Sequence, residues 1–314
     1  MLPLLIALFG SSNALAGDGP WTLAPGDQSA YFGVGTFHYK AFAGESAAGG
    51  TLGEGVTAVG AVGVYSRGLA HGVEVEAVIP LERVRVNTPS DSLCSGGARP
   101  RDFCATTAGV GDLSVVLKGR IVDELYLSPV TVAVGAALRS GELYADDRDR
   151  LTTLGDGQTD LGGGVSVGRT DLVGPGWYRI GAWGWYWYRF PNAMDGDRKI
   201  PADEVTYTLE ATLSVHPRFG FGPAVQGFNR LGGKNLNEVT VGEPNAWSEL
   251  KASQVQVGGK VGIYSPAGPT LAIAVLKTVY ARNNPSDTLV LSLGLGWYFP
   301  GKGVEAPPAG MVTG

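Results

Sequence analysis

The sequence predicts an all-β fold, a transmembrane antiparallel up-and-down β-barrel of about twelve strands. Three observations carry this prediction: low charge without long apolar runs, apolar residues that alternate at period two, and connections that alternate between short and long. Charged residues make up only 17% of the 314 residues, below the roughly 25% of typical soluble domains. A membrane barrel needs this balance, because one face of each strand meets lipid and the other faces the lumen.

The N-terminal stretch has the organisation of a secretory signal peptide. Residues 1–16 contain no charged side chain, Leu2 to Phe9 form a short apolar core, and Ala14-Leu15-Ala16 offers small residues for cleavage. The stretch is shorter than the roughly 20 residues that a membrane helix requires, and no later apolar run reaches about 18. We therefore predict a signal peptide over 1–16, a barrel over 17–299 and a disordered periplasmic tail over 300–314.

Alternation of apolar and polar residues marks the strands. The last segment shows it most clearly, because every odd residue from Leu289 to Phe299 is apolar while Ser292, Gly294 and Gly296 lie on the other face. Its aromatic end, Trp297-Tyr298-Phe299, resembles the assembly signal of outer-membrane barrels. Twelve strands are predicted, at about 28–40, 55–66, 72–86, 109–121, 129–139, 159–169, 177–190, 204–216, 221–231, 251–264, 270–281 and 288–299.

The connections divide into two sets, as in outer-membrane barrels, where short turns lie at one rim and long loops at the other. An even number of strands also brings both ends of the barrel to the same side. The short connections are 67–71, 122–128, 170–176, 217–220 and 265–269, and the longer polar ones are 41–54, 87–108, 140–158, 191–203 and 232–250. Only the last outer loop, 282–287, departs from this pattern.

Two cysteines and the net charge limit the other functions. Cys94 and Cys104 share one polar segment, which in an exported protein predicts a disulfide that closes a small loop. Two thiols without further Cys or His nearby do not make a metal site. The acidic residues around Asp147 alternate with arginines and fit a solvated loop better than a calcium site. A net charge of −5 argues against nucleic acid as a partner, and nothing in the sequence requires a cofactor.

Three short stretches carry a resemblance to a known family. They are Gly109-Val-Gly-Asp-Leu-Ser-Val-Val-Leu-Lys-Gly119, Leu154-Gly-Asp-Gly-Gln-Thr-Asp-Leu161, and Arg282-Asn283 before the final strand. They resemble the outer-membrane transporter family associated with the phenol-degradation MetA pathway. The resemblance implies a barrel that takes up small, often aromatic or hydrophobic, compounds. A more distant similarity is to outer-membrane fatty-acid channels, which carry an N-terminal plug. The eleven residues 17–27 are too few for such a plug.

Alternation assigns several charged residues to the lumen. Glu74 and Glu76 on the third strand lie opposite Lys118 and Arg120 on the fourth. These four charges fit either mutual neutralisation that holds the wall together or a charged constriction that selects solutes. Arg139, Asp160, Glu210 and Lys260 also fall on polar faces, and Arg139 and Glu210 are further candidates for contact with solute.

The seventh predicted strand is the most informative segment for a solute site. One face carries Arg179, Trp183, Trp185 and Arg189 together with Trp177 and Trp187, and the other carries Ile180 and several tyrosines. Arginine is costly in lipid, which favours the tryptophan face inward, where Trp183 and Trp185 would form a stacking surface for apolar cargo. The alternative places the tryptophans in lipid, with both arginines at the interfaces.

These observations predict a monomeric, non-enzymatic channel of the bacterial outer membrane for passive uptake of small solutes, with hydrophobic or aromatic ones preferred. Its partners are then outer-membrane lipid and the solute. Two other functions stay open. One is a surface barrel for structure or adhesion that acts through its loops, and the other is a lipid-modifying enzyme, which needs a Ser–His pair at the lipid boundary. No such pair is evident around His38, His71 or His216.

Overall fold

Strands make up nearly all of the regular structure in the computed structural model. It describes residues 19–44, 49–87, 104–124, 128–140, 159–194, 197–199, 201–235, 238, 249–265 and 269–301. The predicted signal peptide 1–16, Cys94, the acidic segment around Asp147, the stretch 154–158 and the tail beyond residue 301 lie outside these residues. Within the described ranges, no helix has the length and apolar character for crossing a membrane.

In the part of the chain that the structure describes, twelve long strands form a closed antiparallel barrel, as predicted, and four short strands accompany them. The short strands are β4, which follows the long loop after β3; β9 and β10, which pair with each other; and β15, which precedes the last strand. In chain order the strands are β1 Gln28–Ala43, β2 Gly49–Ala70, β3 Val73–Val86, β4 Thr107–Val110, β5 Leu113–Val122, β6 Thr131–Ser140, β7 Thr159–Val173, β8 Gly176–Arg189, β9 Asn192–Met194, β10 Asp197–Lys199, β11 Asp203–His216, β12 Phe219–Leu231, β13 Ser253–Ile263, β14 Thr270–Arg282, β15 Asn284–Pro285 and β16 Leu289–Phe299.

Each long strand pairs with its neighbours in the chain, and β1 pairs with both β2 and β16, which closes the barrel. We call the end where β1 begins and β16 ends the terminal rim, and the opposite end the loop rim. The terminal rim carries the short turns, as at His71-Gly72 and Gly174-Pro175. The loop rim carries the long connections, one of which contains the β9–β10 ribbon rather than only irregular chain.

Side chains divide between the two faces in the way that a lipid-embedded wall requires. Large apolar side chains point outward on every long strand; those of Leu289, Leu291 and Leu293 on β16 are 44–45% exposed. The intervening residues point inward and include most of the buried polar groups. This arrangement is the reverse of a soluble barrel, whose interior is filled by apolar side chains.

The predicted strand 109–121 is not continuous, which corrects the sequence-based boundary. β4 and β5 are separate, and Gly111 and Asp112 lie between them. The cause is Pro80 on the adjacent β3, because proline has no N–H group to give to a sheet ladder. The Gly111 N–H instead donates to the Pro80 carbonyl at 3.0 Å, and β3 pairs with β4 on one side of this break and with β5 on the other.

Two clasps hold the seam between β1 and β16. At the loop rim, β15 adds to β1, and the Asp287 carboxylate accepts the backbone N–H groups of Lys40 and Ala41 at 3.0 and 2.9 Å. The connection turns at Asn283, whose φ of 47° is in the left-handed region that asparagine tolerates. At the terminal rim, the Asp27 carboxylate accepts the Tyr298 hydroxyl and, at 2.8 Å, the Gly301 N–H.

Candidate functional site: the lumen

The inner face carries charged and amide side chains from one rim to the other. Near the terminal rim, Lys118 and Glu74 form an ion pair at 3.4 Å, and Glu76 accepts the Ser66 hydroxyl at 3.2 Å. All four of these side chains are buried inside the barrel. This geometry agrees with neutralisation of Glu74 by Lys118. Arg120 departs from the prediction. It lies two residues beyond Lys118, closer to the terminal rim, and pairs there with Asp123 at 2.9 Å.

Halfway along the barrel, an ion pair joins two strands that are not adjacent in the sheet. Glu210 on β11 contacts Lys260 on β13, across the intervening β12. Next to them, the Gln226 amide donates to Gln256 at 2.7 Å. Glu210 is therefore neutralised by Lys260 and is not an isolated charge.

Five charged residues form a network at the loop rim, which we call the loop-rim network: Arg139, Asp160, Arg189, Glu204 and Arg230. Asp160 contacts Arg139 at 3.3 Å and Arg189 at 3.6 Å. Glu204 contacts Arg230 at 3.4 Å and Arg139 at 3.8 Å. Each of the five side chains is at most 6% exposed. β7 and β8 lie between β6 and β11 in the sheet. The contact between Arg139 on β6 and Glu204 on β11 therefore crosses the barrel interior in front of these two strands.

The tryptophan face of β8 points inward. Trp187 and Arg189 are buried, whereas Ile180, Tyr186 and Tyr188 are exposed on the outside. We call Trp183, Trp185 and Trp187 the tryptophan row. The rings of Trp185 and Trp187 stack with centroids 5.7 Å apart, and the Arg139 guanidinium lies 4.0 Å from the Trp187 ring centre. The row therefore leads from the middle of the barrel to the loop-rim network.

Glycines on the adjacent strands make room for the row. A Cβ atom added to Gly164 would lie 2.5 Å from the Trp185 ring, and one added to Gly162 would lie 2.7 Å from the Trp187 ring. Gly135 on β6 borders Trp185 in the same way. Because these glycines face inward and carry no side chain, the indoles lie close against the wall. Gly162 and Gly164 thus serve packing, as glycine in a strand often does where another group approaches closely.

Arg179 lies near the terminal rim between two tryptophans. Its guanidinium carbon is 4.3 Å from the ring centre of Trp21 and 5.6 Å from that of Trp177. Trp177 in turn packs against Tyr264, which follows β13 outside the strands. Burial raises the pKa of Tyr264 to about 12.

Trp21 belongs to a segment that the sequence did not predict to enter the barrel. Residues 19–27, which we call the N-terminal strap, bring Trp21 and Leu23 to buried positions on the inner side of the wall. The sequence predicted that this stretch is too short for a plug of the fatty-acid-channel kind, and it did not predict that the stretch enters the lumen. The described part, residues 19–27, is a single extended segment that is long enough to reach the opposite wall.

The remaining candidates take no part in the lumen. Cys104 stands before β4, while Cys94 lies outside the described residues, so their disulfide stays a prediction. His216 is at the end of β11, where its Nδ1 accepts the Arg218 N–H at 3.2 Å, and the Ser214 hydroxyl donates to the His216 carbonyl at 2.7 Å. That is not the hydroxyl-to-imidazole contact of a serine nucleophile. Among the described residues, no group of three His, Cys, Asp or Glu side chains could hold a metal ion.

Comparison with known proteins gives fold similarity only. No protein-family model and no curated protein matches the chain. The chain is similar to the COG4313 outer membrane channel from Pseudomonas putida F1, with a TM-score of 0.67 and 13% identity over 91% of this chain and 100% of that chain. It is also similar to the NanC porin, with a TM-score of 0.47 and 10% identity over 84% of this chain and 98% of that chain. At 13% identity, the similarity to the COG4313 channel shows a shared barrel fold.

Proposed function

We propose that the protein is a channel of the bacterial outer membrane through which small solutes pass passively. The observation that carries the proposal is the inner face, which is polar and charged at three levels of a closed barrel whose outer face is apolar. Such a wall suits lipid outside and an aqueous path inside. In this setting the terminal rim faces the periplasm, and the barrel acts as a monomer because closure leaves no sheet edge to pair with another chain.

The tryptophan row supports a preference for planar apolar or aromatic solutes. Trp183 and Trp185 are only partly buried and present ring faces inside the barrel, and aromatic rings bind flat apolar groups by stacking. Arg139 lies over Trp187 at one end of the β8 face and Arg179 is at the other end, so positive charge borders the path of a solute that carries a polar group. This chemistry agrees with the resemblance to the phenol-degradation MetA type of outer-membrane transporter, which we propose as the family.

Channel activity is measurable in planar bilayers and in liposomes. We expect the purified protein to give discrete conductance steps, and to admit a small aromatic acid faster than empty liposomes do. Absence of both conductance and uptake would contradict the proposal. It would then favour a barrel that acts through its loops.

The tryptophan row is tested by replacing Trp183 and Trp185 together with alanine. Because stacking on an aromatic ring contributes about 1 kcal/mol, we expect a several-fold weaker block of ion current by a small aromatic acid. Ion conductance itself should not fall, since the change widens the lumen. Trp297→Ala is the matched control, because Trp297 is on the outer face of β16. Equal block in both variants would show that the row does not contact solute.

A further inference from the structure

The N-terminal strap crosses the lumen at the terminal rim. Its near end is fixed beside β1 and β2, where the Gly26 N–H donates to the Gly68 carbonyl at 2.9 Å and the Gly68 N–H donates to the Asp27 carbonyl at 3.0 Å. Its middle is held by Glu74 on β3, which accepts the Leu23 N–H at 2.7 Å. At its far end, the Trp21 indole packs against Gly168 on β7 and Gly181 on β8. In a ring of twelve strands, β8 is six strands from β1 in either direction, so Trp21 is against the opposite wall.

Trp21 occupies a slot that has a floor, a lid and a polar edge. The floor consists of Gly168 and Gly181, where an added Cβ atom would lie 2.6 Å and 3.5 Å from the indole. The lid is the Arg179 guanidinium, 4.3 Å from the ring centre. At the edge, the indole N–H donates to the Glu124 carboxylate at 3.4 Å. Glu124 is itself held in place, because it accepts the Thr170 N–H at 3.0 Å.

Each part of the slot recognises a general property of a planar ring rather than a feature peculiar to tryptophan in a chain. Bare glycine backbone accepts a flat apolar surface, a guanidinium above a ring is a cation–π contact, and a carboxylate at the ring edge accepts one N–H or O–H group. A free molecule with these properties would meet the same contacts. It would also meet them at the end of the tryptophan-bearing face of β8, along which we expect aromatic solutes to travel.

We propose that this slot is a binding site for a small planar aromatic molecule with one N–H or O–H donor at its edge, and that Trp21 is its internal occupant. The proposal rests on the channel function proposed above. A ligand that displaces Trp21 releases the far end of the strap and widens the terminal rim. Passage of an aromatic solute and opening of this rim are then coupled, because both use the same slot.

Competition with Trp21 sets the apparent affinity for a free ligand. A tethered group competes at an effective concentration on the order of millimolar, and apparent affinity falls in proportion to the fraction of sites that are vacant. Removing the Trp21 ring should therefore strengthen binding of free indole, the molecule that most closely matches the displaced side chain. We expect Trp21→Ala to bind indole at least ten-fold more tightly than the unchanged protein.

Equilibrium dialysis of radiolabelled indole against the full-length protein in detergent measures the indole affinity, and it does not require that the protein conducts ions. Trp297→Ala, which removes a tryptophan from the outer face, should bind indole as the unchanged protein does. Gly181→Val on the Trp21→Ala background refills the floor and should abolish the gain. Gly163→Val on the same background is its control, because an added Cβ there meets nothing within 4 Å. Equal indole affinity for the unchanged protein and Trp21→Ala would overturn the proposal, as would a gain that survives Gly181→Val.

Bilayer recordings separate this proposal from the channel function. If the protein conducts, Trp21→Ala should have a larger single-channel conductance than Trp297→Ala, and equal conductance would overturn the role of the strap at the rim. If no variant conducts, the channel function fails. The dialysis result then stands alone, and tighter binding by Trp21→Ala still supports the site.

Discussion

Glu204→Gln is expected to destabilise the barrel by about 3 kcal/mol and to shift its ion selectivity toward anions. The Glu204 carboxylate is buried and contacts both Arg139 and Arg230, at 3.8 and 3.4 Å. Breaking a buried ion pair by removing one partner costs about 3–5 kcal/mol, because the remaining charge is left uncompensated. Within the loop-rim network, three arginines and two carboxylates sum to +1, and loss of one carboxylate makes the sum +2.

Urea unfolding in lipid vesicles measures the loss of stability, and the reversal potential in a salt gradient measures the selectivity. The control is Glu249→Gln at the loop rim. Glu249 pairs with Lys234 at 2.9 Å, but the Lys234 side chain is 51% exposed, and exposed pairs contribute about 1 kcal/mol or less. Although the Lys234–Glu249 pair is shorter than the contacts of Glu204, its loss should lower the free energy of unfolding less. Similar losses of unfolding free energy in the two variants would mean that the buried ion pairs of Glu204 stabilise the barrel no more than an exposed pair does.

Gly164→Val is expected to push the Trp185 indole into the lumen. The added Cβ atom would lie 2.5 Å from the ring, which is too close for any rotamer that keeps the indole flat against β7. Overpacking of this kind costs about 1–3 kcal/mol. Because an indole is rigid and large, its displacement toward the axis should also lower single-channel conductance by a substantial fraction.

The adjacent glycine offers a matched control. An added Cβ atom on Gly163 meets nothing within 4 Å because this residue faces outward, so Gly163→Val should leave conductance and unfolding unchanged. On the Trp185→Ala background, Gly164→Val should lose most of its effect, which a double-mutant cycle reports as a coupling energy of about 0.5–3 kcal/mol. If Gly164→Val harms the protein equally with and without the Trp185 ring, the glycine has some role other than seating the indole.

Strand positions and faces were predictable because they depend on local periodicity. Alternate residues of a strand point to opposite faces whatever the neighbours are, so the outward position of Leu291 and the inward position of Glu74 follow from the sequence. The inward position of Trp183 and Trp185 needed one further argument, the cost of arginine in lipid. The break at Gly111 could not be predicted from its own segment, because its cause, Pro80, is on another strand.

The contacts within the lumen could not be predicted, because they depend on register and curvature. Gly164 is opposite Trp185 in the β7–β8 pairing, and a shift of one residue would place each against a different neighbour. The contact between Arg139 and Glu204 requires that β6 and β11 curve toward each other. Trp21 is an isolated apolar residue in a segment without alternation, and its site became evident only when the ring of strands placed β8 opposite β1.

The seam between β1 and β16 has a consequence for the order of folding. Its clasps join residues far apart in the chain: Ala41 and Asp287 are separated by 246 positions, and Asp27 and Gly301 by 274. The other pairings of the wall connect successive strands and can form as each hairpin does. Contacts between distant residues form late, since the entropy of closing a long loop must be lost before they stabilise the fold. The two aspartates therefore act at the last step, when an open sheet becomes a ring, and hold its two edges together from both ends.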